Sequence, residues 1–281
     1  MVQCAMFVSG LTTFIQLYPL RLGSKYQVGA RLPIVMGTSF TFVPTASAVG
    51  AAGGIGAVLG GCLAGSLVEV FMGFFYKYIR RFFPPLVVGC TLVTIGNTSG
   101  ITMAGFDREA TERETSGAIL ADALGSTTAA IFNALPNTAF GQNAGIVAMI
   151  RVVNRWCIAT GAFILMISSF FPKLGAIFSA IPNAVLGGAI ITVFGMILIN
   201  GIKMIAKAGF SERNILVMGL TFVFGIGVPA HPEAVAQLPG FIRFIFNDAV
   251  TATCIVAIIA NVLFPMKDAA DIEKAKEAMM G

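Results

Sequence analysis

Apolar residues come in long blocks along this chain, separated by short polar connections. Residues 1–20, 54–76, 84–105, 156–172, 184–203, 213–230 and 248–264 are each apolar over close to the roughly 20 residues a helix needs to cross a hydrocarbon core. Residues 117–133 are shorter and more polar, which fits a span packed inside a bundle. Two stretches break the pattern. Residues 38–52 and 137–151 are too short, or too rich in glycine and polar side chains, to cross as one ordinary helix. The C-terminal "MKDAADIEKAKEAMMG" reads as a charged, solvated tail.

The two exceptions resemble each other. "TSFTFVPTASAVG" (38–50) and "NTAFGQNAGIVA" (137–148) both open with small, β-branched or aromatic residues that favour extended backbone. Each then meets a proline or a polar pair, followed by small residues suited to a tightly packed helix. Each is predicted to be a short strand feeding a half-helix. Such a break leaves backbone N–H and C=O groups without helical partners at membrane depth. That is tolerated only inside protein or along a cavity. Paired broken elements in two halves of a chain point to a transporter's midplane binding site, with half-helix N-termini aimed at the ligand. The competing readings are two ordinary loops with helix caps, and an ion-channel filter.

Composition agrees with a membrane location. The chain is 57% hydrophobic and 11% charged, against roughly 25% charged in soluble domains, too little to build a water-facing surface. The net charge of +5 is spread between apolar runs, so it sets topology rather than binding nucleic acid. The five cysteines lie singly and the only histidine is His231, so neither metal nor disulfide spacing exists. Residues 1–20 lack a basic leader and carry Gln3 and Gln16, which favours a span over a signal peptide. No nucleophile–base pair or phosphate loop appears, and no cofactor is expected.

Charge placement predicts the topology of each half. Arg21, Lys25, Arg31, Lys77, Arg80 and Arg81 fall on the cytoplasmic side when counted forward. Lys203, Lys207, Arg213, Arg151 and Arg155 do so when counted back from the tail, leaving Lys173 and Arg243 outside. The halves do not join. Residues 107–116 lie outside by one count and inside by the other, so an odd number of spans is missing between Gly105 and Thr115.

"QNAGIVAMIR" resembles the signature of the nucleobase–ascorbate transporter family, the xanthine/uracil permeases. That signature is Gln, Glu or Pro, then Asn-x-Gly, four residues, then Thr and Arg, Lys or Gly. Gln142, Asn143, Gly145 and Arg151 match, and Ile150 departs. "GAILADALGS", "PNTAF", "FPKLGAIFSAIPNAVLGGAIITVFGMILINGIKMI", "GLTTFIQ" and "LPIVMGTSFTFV" resemble further spans of the family. The resemblance implies an all-α polytopic membrane protein, an inverted-repeat transporter with two short strands leading into half-helices. The family has fourteen spans divided between a core and a gate domain. Residues 1–83 resemble core spans two to four and 84–106 gate span five. Residues 107–172 resemble core spans nine to eleven, 173–266 gate spans twelve to fourteen, and 267–281 form the tail. The first span, and spans six to eight between Gly105 and Asp107, have no counterpart, which would account for the parity conflict. The absent eighth span carries the family's acidic, nucleobase-binding residue.

The function implied is secondary transport of a nucleobase, a xanthine- or urate-type purine favoured, by H+ or Na+ symport across the inner cell membrane. The alternatives are a uracil permease, a non-transporting fragment or a pore. The expected partners are a small-molecule nucleobase, the lipid bilayer and a second copy of the chain, with no nucleic acid. On the residues, Gln142 holds the family's substrate position, and its amide can match C=O and N–H groups side by side on a base. Asn143 and Gly141 flank it at the strand–helix junction. Phe40 and Phe42 could stack on a planar base, with Ser39 and Thr41 offering polar groups. Asp122 is an intramembrane acid, given a coupling or gating role. Glu69 is read as a structural pair with Lys77 or Arg80, Arg151 and Arg155 as interface anchors, and His231 as incidental.

Overall fold

The computed structural model describes residues 1–23, 26–38, 42–79, 94–247 and 249–264. These fall into two compact units, residues 1–79 with 94–200, and residues 201–264.

In the first unit the opening span is α1 (Val2–Leu17). Residues 21–31 were expected to be a basic loop. Instead Leu20–Leu22 (β1) and Tyr26–Val28 (β2) pair antiparallel, with Arg21 opposite Gln27. The signal was there, since Leu-Arg-Leu and Tyr-Gln-Val alternate with period two. Gly29 follows at φ +112°, and its amide donates to the Gly117 carbonyl at 2.8 Å. A Cβ on either glycine would overlap the backbone of another segment, so only glycine allows this approach.

Met36–Thr38 (β3) precedes a long helix, α2 (Val43–Phe74), with a proline in its first turn. The helix breaks at Gly54 (φ 71°, ψ −176°), the boundary between the two sequence blocks 38–52 and 54–76. Residues 55–74 alone rise about 30 Å, a full hydrocarbon thickness. A short helix α3 (Tyr76–Ile79) follows. Residues 84–93 of the next block lie outside the described residues, and α4 (Thr94–Phe106) is its continuation.

The next helix, α5 (Glu112–Ile131), begins five residues earlier than its apolar content predicts. "TERE" is a capping box: the Thr111 hydroxyl accepts from the Glu114 amide, and the Glu114 carboxylate accepts from the Thr111 amide at 2.9 Å. Arg108 adds a two-pronged pair to the same carboxylate, at 2.8 and 2.6 Å. Partial burial pushes the Glu114 carboxyl up, but the bonds from Arg108 and Thr111 outweigh it and hold the group below its ordinary value. The pair therefore stabilises the fold above the ordinary carboxyl value, and that contribution is lost as pH falls through the lowered one. Because the site faces solvent, Arg108→Ala is expected to cost only about 0.2–1 kcal/mol. Thermal unfolding in detergent at neutral and acidic pH would test this. The gap between variant and parent should close at low pH, and a constant gap would contradict the assignment.

Asn137–Ala139 (β4) then leads into α6 (Gly141–Ile150), which ends at Arg151 in a left-handed conformation (φ 51°). α7 (Arg155–Ser169) is capped by Asn154, whose side chain accepts from the Trp156 amide at 3.0 Å. α8 (Pro172–Ser179) and α9 (Asn183–Ala208) follow. α1 packs on α7 and α5, and Gly10 admits Met166 where a Cβ would collide with it.

In the second unit, α10 (Glu212–Phe222) widens into a π-helical turn (Val223–Gly227) before the short α11 (Val228–Ala230). α12 (Gly240–Asn247) and α13 (Ala249–Leu263) complete it. Ile205, Val217, Met218 and Ala260 form its apolar core. Arg213 closes the end of α13, donating to the Phe264 carbonyl and the Asn261 side chain, both at 2.6 Å.

Candidate functional site

The two strands predicted from separate halves of the sequence lie side by side. β3 and β4 pair antiparallel, with Met36 opposite Ala139, Gly37 opposite Thr138 and Thr38 opposite Asn137. The Phe140 amide extends the ladder to the Val35 carbonyl at 2.9 Å, and the Asn143 side chain donates to the Pro33 carbonyl at 2.5 Å. An isolated two-stranded ribbon is marginal in water, so this one depends on its surroundings.

Those surroundings come from α1 and α5. On α1, Thr12, Thr13 and Gln16 are all buried. The Thr13 hydroxyl accepts from the Met36 amide at 2.9 Å, and the Thr12 hydroxyl accepts from the Asn137 side chain. Gln16 accepts from the Ala30 amide at 3.0 Å and donates to the Ala118 carbonyl at 3.2 Å. From α5, the Ser126 hydroxyl donates to the Asn137 carbonyl at 2.9 Å, and Asp122 accepts from the Thr138 hydroxyl at 3.0 Å. Asp122 is 1% exposed. Buried polar groups of this kind specify one arrangement when they are satisfied, and cost heavily when they are not. Ala30, Leu32, Ile34, Met36, Ile101, Ala118, Ala139 and Ala144 supply the apolar packing around them.

The strands end at helix starts. Phe140 precedes α6 in extended conformation and its side chain makes no cap, while the Asn143 backbone amide donates to the Phe140 carbonyl at 3.1 Å. The Phe140 ring lies over Gly37, in space a Cβ at that position would occupy. α4 packs against α6, α5 and β4, with Thr98 and Thr102 fully buried and Gly100 beside Ala144.

Of the residues singled out in the sequence, Gly141 and Gln142 open α6, and Asn143 sits in its first turn with its amide committed to Pro33. Phe42 stands half-buried immediately before α2. Ser39, Phe40 and Thr41 lie outside the described residues. The supporting set Thr12, Thr13, Gln16, Ser126, Asn137 and Thr138, and the ring of Phe140, were not singled out. Hydroxyl and amide side chains at 12, 13 and 16, inside an otherwise apolar block, were the available signal.

Two short strands meet inside a largely helical protein, β4 running directly into α6 and β3 preceding α2 in the chain. The profile of a family described as the Permease family matches residues 1–105 and again 98–234. The xanthine permease of Bacillus subtilis is 24% identical over 378 residues, covering 94% of this chain and 85% of its own length. The xanthine permease XanQ of Escherichia coli is 33% identical over 207 residues, covering 71% of this chain and 44% of its own length. The nucleobase transporter PlUacP of Paenibacillus larvae is 32% identical over 197 residues, covering 68% and 45%. The chain belongs to this permease family, the nucleobase–ascorbate transporters named above from its motif. It is an integral membrane protein and a transporter rather than an enzyme. Thr45–Phe74 and Glu212–Ala230 are long and apolar enough to cross a bilayer.

Proposed function

We propose that the chain moves a nucleobase across the inner cell membrane as a multi-pass secondary permease, with a xanthine- or urate-type purine favoured and a coupled cation, H+ or Na+. The observation that carries this reading is the β3–β4 pair with Phe140 over Gly37 and the start of α6 beside it. A planar base needs an aromatic face and paired donors and acceptors at its edge. Phe140 and Phe42 offer faces, and the first-turn amides of α6 with Gln142 offer edge contacts. Asp122, locked to Thr138, is the coupling or gating acid in this reading. The names of the relatives, two of them xanthine permeases and one a nucleobase transporter, favour purine over uracil. The two strand-and-half-helix elements support an inverted repeat. Saturable xanthine accumulation that collapses with an uncoupler, or on removal of Na+, is the expected result. Non-saturating flux indifferent to competing purines would identify a pore.

A second reading has its own support. The Bacillus subtilis alignment spans 378 residues, yet 94% of this chain is only about 264, so about 114 positions have no counterpart here. The two profile matches share residues 98–105, inside α4. We infer that α4 is a composite span, its two ends corresponding to different spans of the longer relatives, with the intervening spans absent. The packing of α4 on α6 and β4 supports this, because that is where a span preceding α5 would sit. The missing spans would also supply the acid across the pocket from Gln142. A base bound without that partner leaves groups unpaired at roughly 1–3 kcal/mol each. Weak or no uptake by this chain alone is therefore expected in cells lacking their own permeases. Full accumulation from an uninterrupted 281-codon gene would refute the inference.

A further inference from the structure

We propose that Glu69 is a second proton-binding site, one that loads the proton which accompanies the substrate. The proposal rests on the reading of the chain as a nucleobase symporter. Glu69 lies on α2 about 7.5 Å, or five residues, from the helix end at Phe74, within the stretch that spans the hydrocarbon. Its Oε2 is shielded from solvent and has no hydrogen-bond partner among the described residues. The expected pair with Lys77 is not formed at that oxygen, and Arg80 lies outside the described residues.

The face that carries Glu69 is the one packed on α5. Positions 62, 66, 69 and 73 follow the 4-3-4 spacing of one helix face. Ser66 accepts a hydrogen bond from Thr127 of α5 at 2.9 Å, and the Gly73 carbonyl accepts from Ser116 of α5 at 2.6 Å. Glu69 sits between these two bridges. The ionisable groups on the elements packed against α2 are Glu112, Arg113, Glu114 and Asp122 of α5, and Tyr76, Lys77 and Tyr78 of α3, with Cys62 on α2 itself. Asp122 is turned to Thr138, and Glu114 is held by Arg108 and Thr111. None of them hydrogen-bonds Oε2. An ionised carboxylate left so in hydrocarbon is costly, whereas the proton-bearing carboxyl is neutral and tolerated.

The location gives that proton leverage on the site. α2 follows β3 in the chain, and α5 grips β4 through Asp122–Thr138 and Ser126–Asn137. A charge appearing or vanishing at Glu69 acts on the interface between the two helices that carry the two strands. One proton adds to the carboxylate on loading. On release it returns to water on the far side and the carboxylate re-forms.

The test uses the purified full chain in nanodiscs, read by infrared spectroscopy of the protonated-carboxyl band, with xanthine as the probe and equilibrium binding of radiolabelled xanthine in parallel. At neutral pH the parent should show a band that Glu69→Gln removes, Glu69→Asp retains and Asp122→Asn leaves in place. Xanthine should change its intensity in the parent only. A spectrum unaltered by Glu69→Gln means that Glu69 is ionised and paired, and the proposal fails. A band that Glu69→Gln removes but bound xanthine never alters means a structural proton, and the coupling role fails. Absence of xanthine binding to the parent would instead defeat the purine reading above, while the comparison with Glu69→Gln still decides whether Glu69 holds a proton.

Discussion

Gly37→Val is expected to abolish xanthine binding and to lower the thermal stability of the protein in detergent by a wide margin. The Phe140 ring occupies the space a side chain at position 37 would enter, and Gly37 is paired to Thr138 in the centre of the β3–β4 ribbon. The ring cannot simply swing away, because the Phe140 amide is fixed to the Val35 carbonyl and Asn143 is fixed to Pro33. Overpacking of a tight site costs about 1–3 kcal/mol, and here the strain would also pull on Thr13 and Thr12, which hold the strands from α1. The companion Phe140→Ala removes the obstacle. The double variant should recover much of the lost stability, a coupling that independent sites would not give, yet still fail to bind because the aromatic face is gone. Thermal melts of the two single variants and the double variant measure this directly. Additive losses would mean that the ring and the glycine are not in contact.

The strand pair was predicted at residues 38–43 and 137–141, which violate the rule that dominates the rest of the chain, whereas β3 lies earlier, at Met36–Thr38, with Val43 already opening α2, and β4 is Asn137–Ala139 with Gly141 already opening α6. Polar, β-branched and aromatic residues stand there where an apolar helix was due. Residues 38–52 and 54–76 were expected as a crossing and a return, and α2 runs through both with its break at Gly54, a residue not singled out from the sequence. What could not be read was which partners the strands would find. The register that sets Gly37 under Phe140 depends on two segments about a hundred residues apart, and no local pattern encodes it. Thr12, Thr13 and Gln16 gave a local signal, yet their partners lie on β3, β4 and the turn at Ala30, so their role emerges only from tertiary contacts. The early start of α5 had a plain sequence signature in "TERE", outweighed by the apolar count that places spans. The β1–β2 hairpin was masked in the same way, by basic residues that topology rules assign to loops.

Gln142→Ala is expected to weaken xanthine binding by roughly 10- to 100-fold while leaving the fold intact. Position 142 opens α6 one residue after Gly141, just beyond the end of β4 and outside the β3–β4 register. An amide at this place can donate and accept toward adjacent C=O and N–H groups of a base. Its loss leaves groups of a bound purine unpaired at about 1–3 kcal/mol each, and 1.4 kcal/mol is a factor of ten in affinity. Gln142→Glu discriminates further. A carboxylate accepts but cannot donate, so a base that presents a carbonyl to position 142 should bind more weakly to this variant. Asn143→Ala makes the contrast. That side chain is committed to the Pro33 carbonyl, and its removal should lower thermal stability along with affinity. Binding isotherms for xanthine and uracil, run beside thermal melts for all three variants, separate a ligand contact from a structural one. If Gln142→Ala lowers the melting temperature as much as Asn143→Ala and leaves the affinity of the folded fraction unchanged, position 142 belongs to the scaffold and the base is held elsewhere.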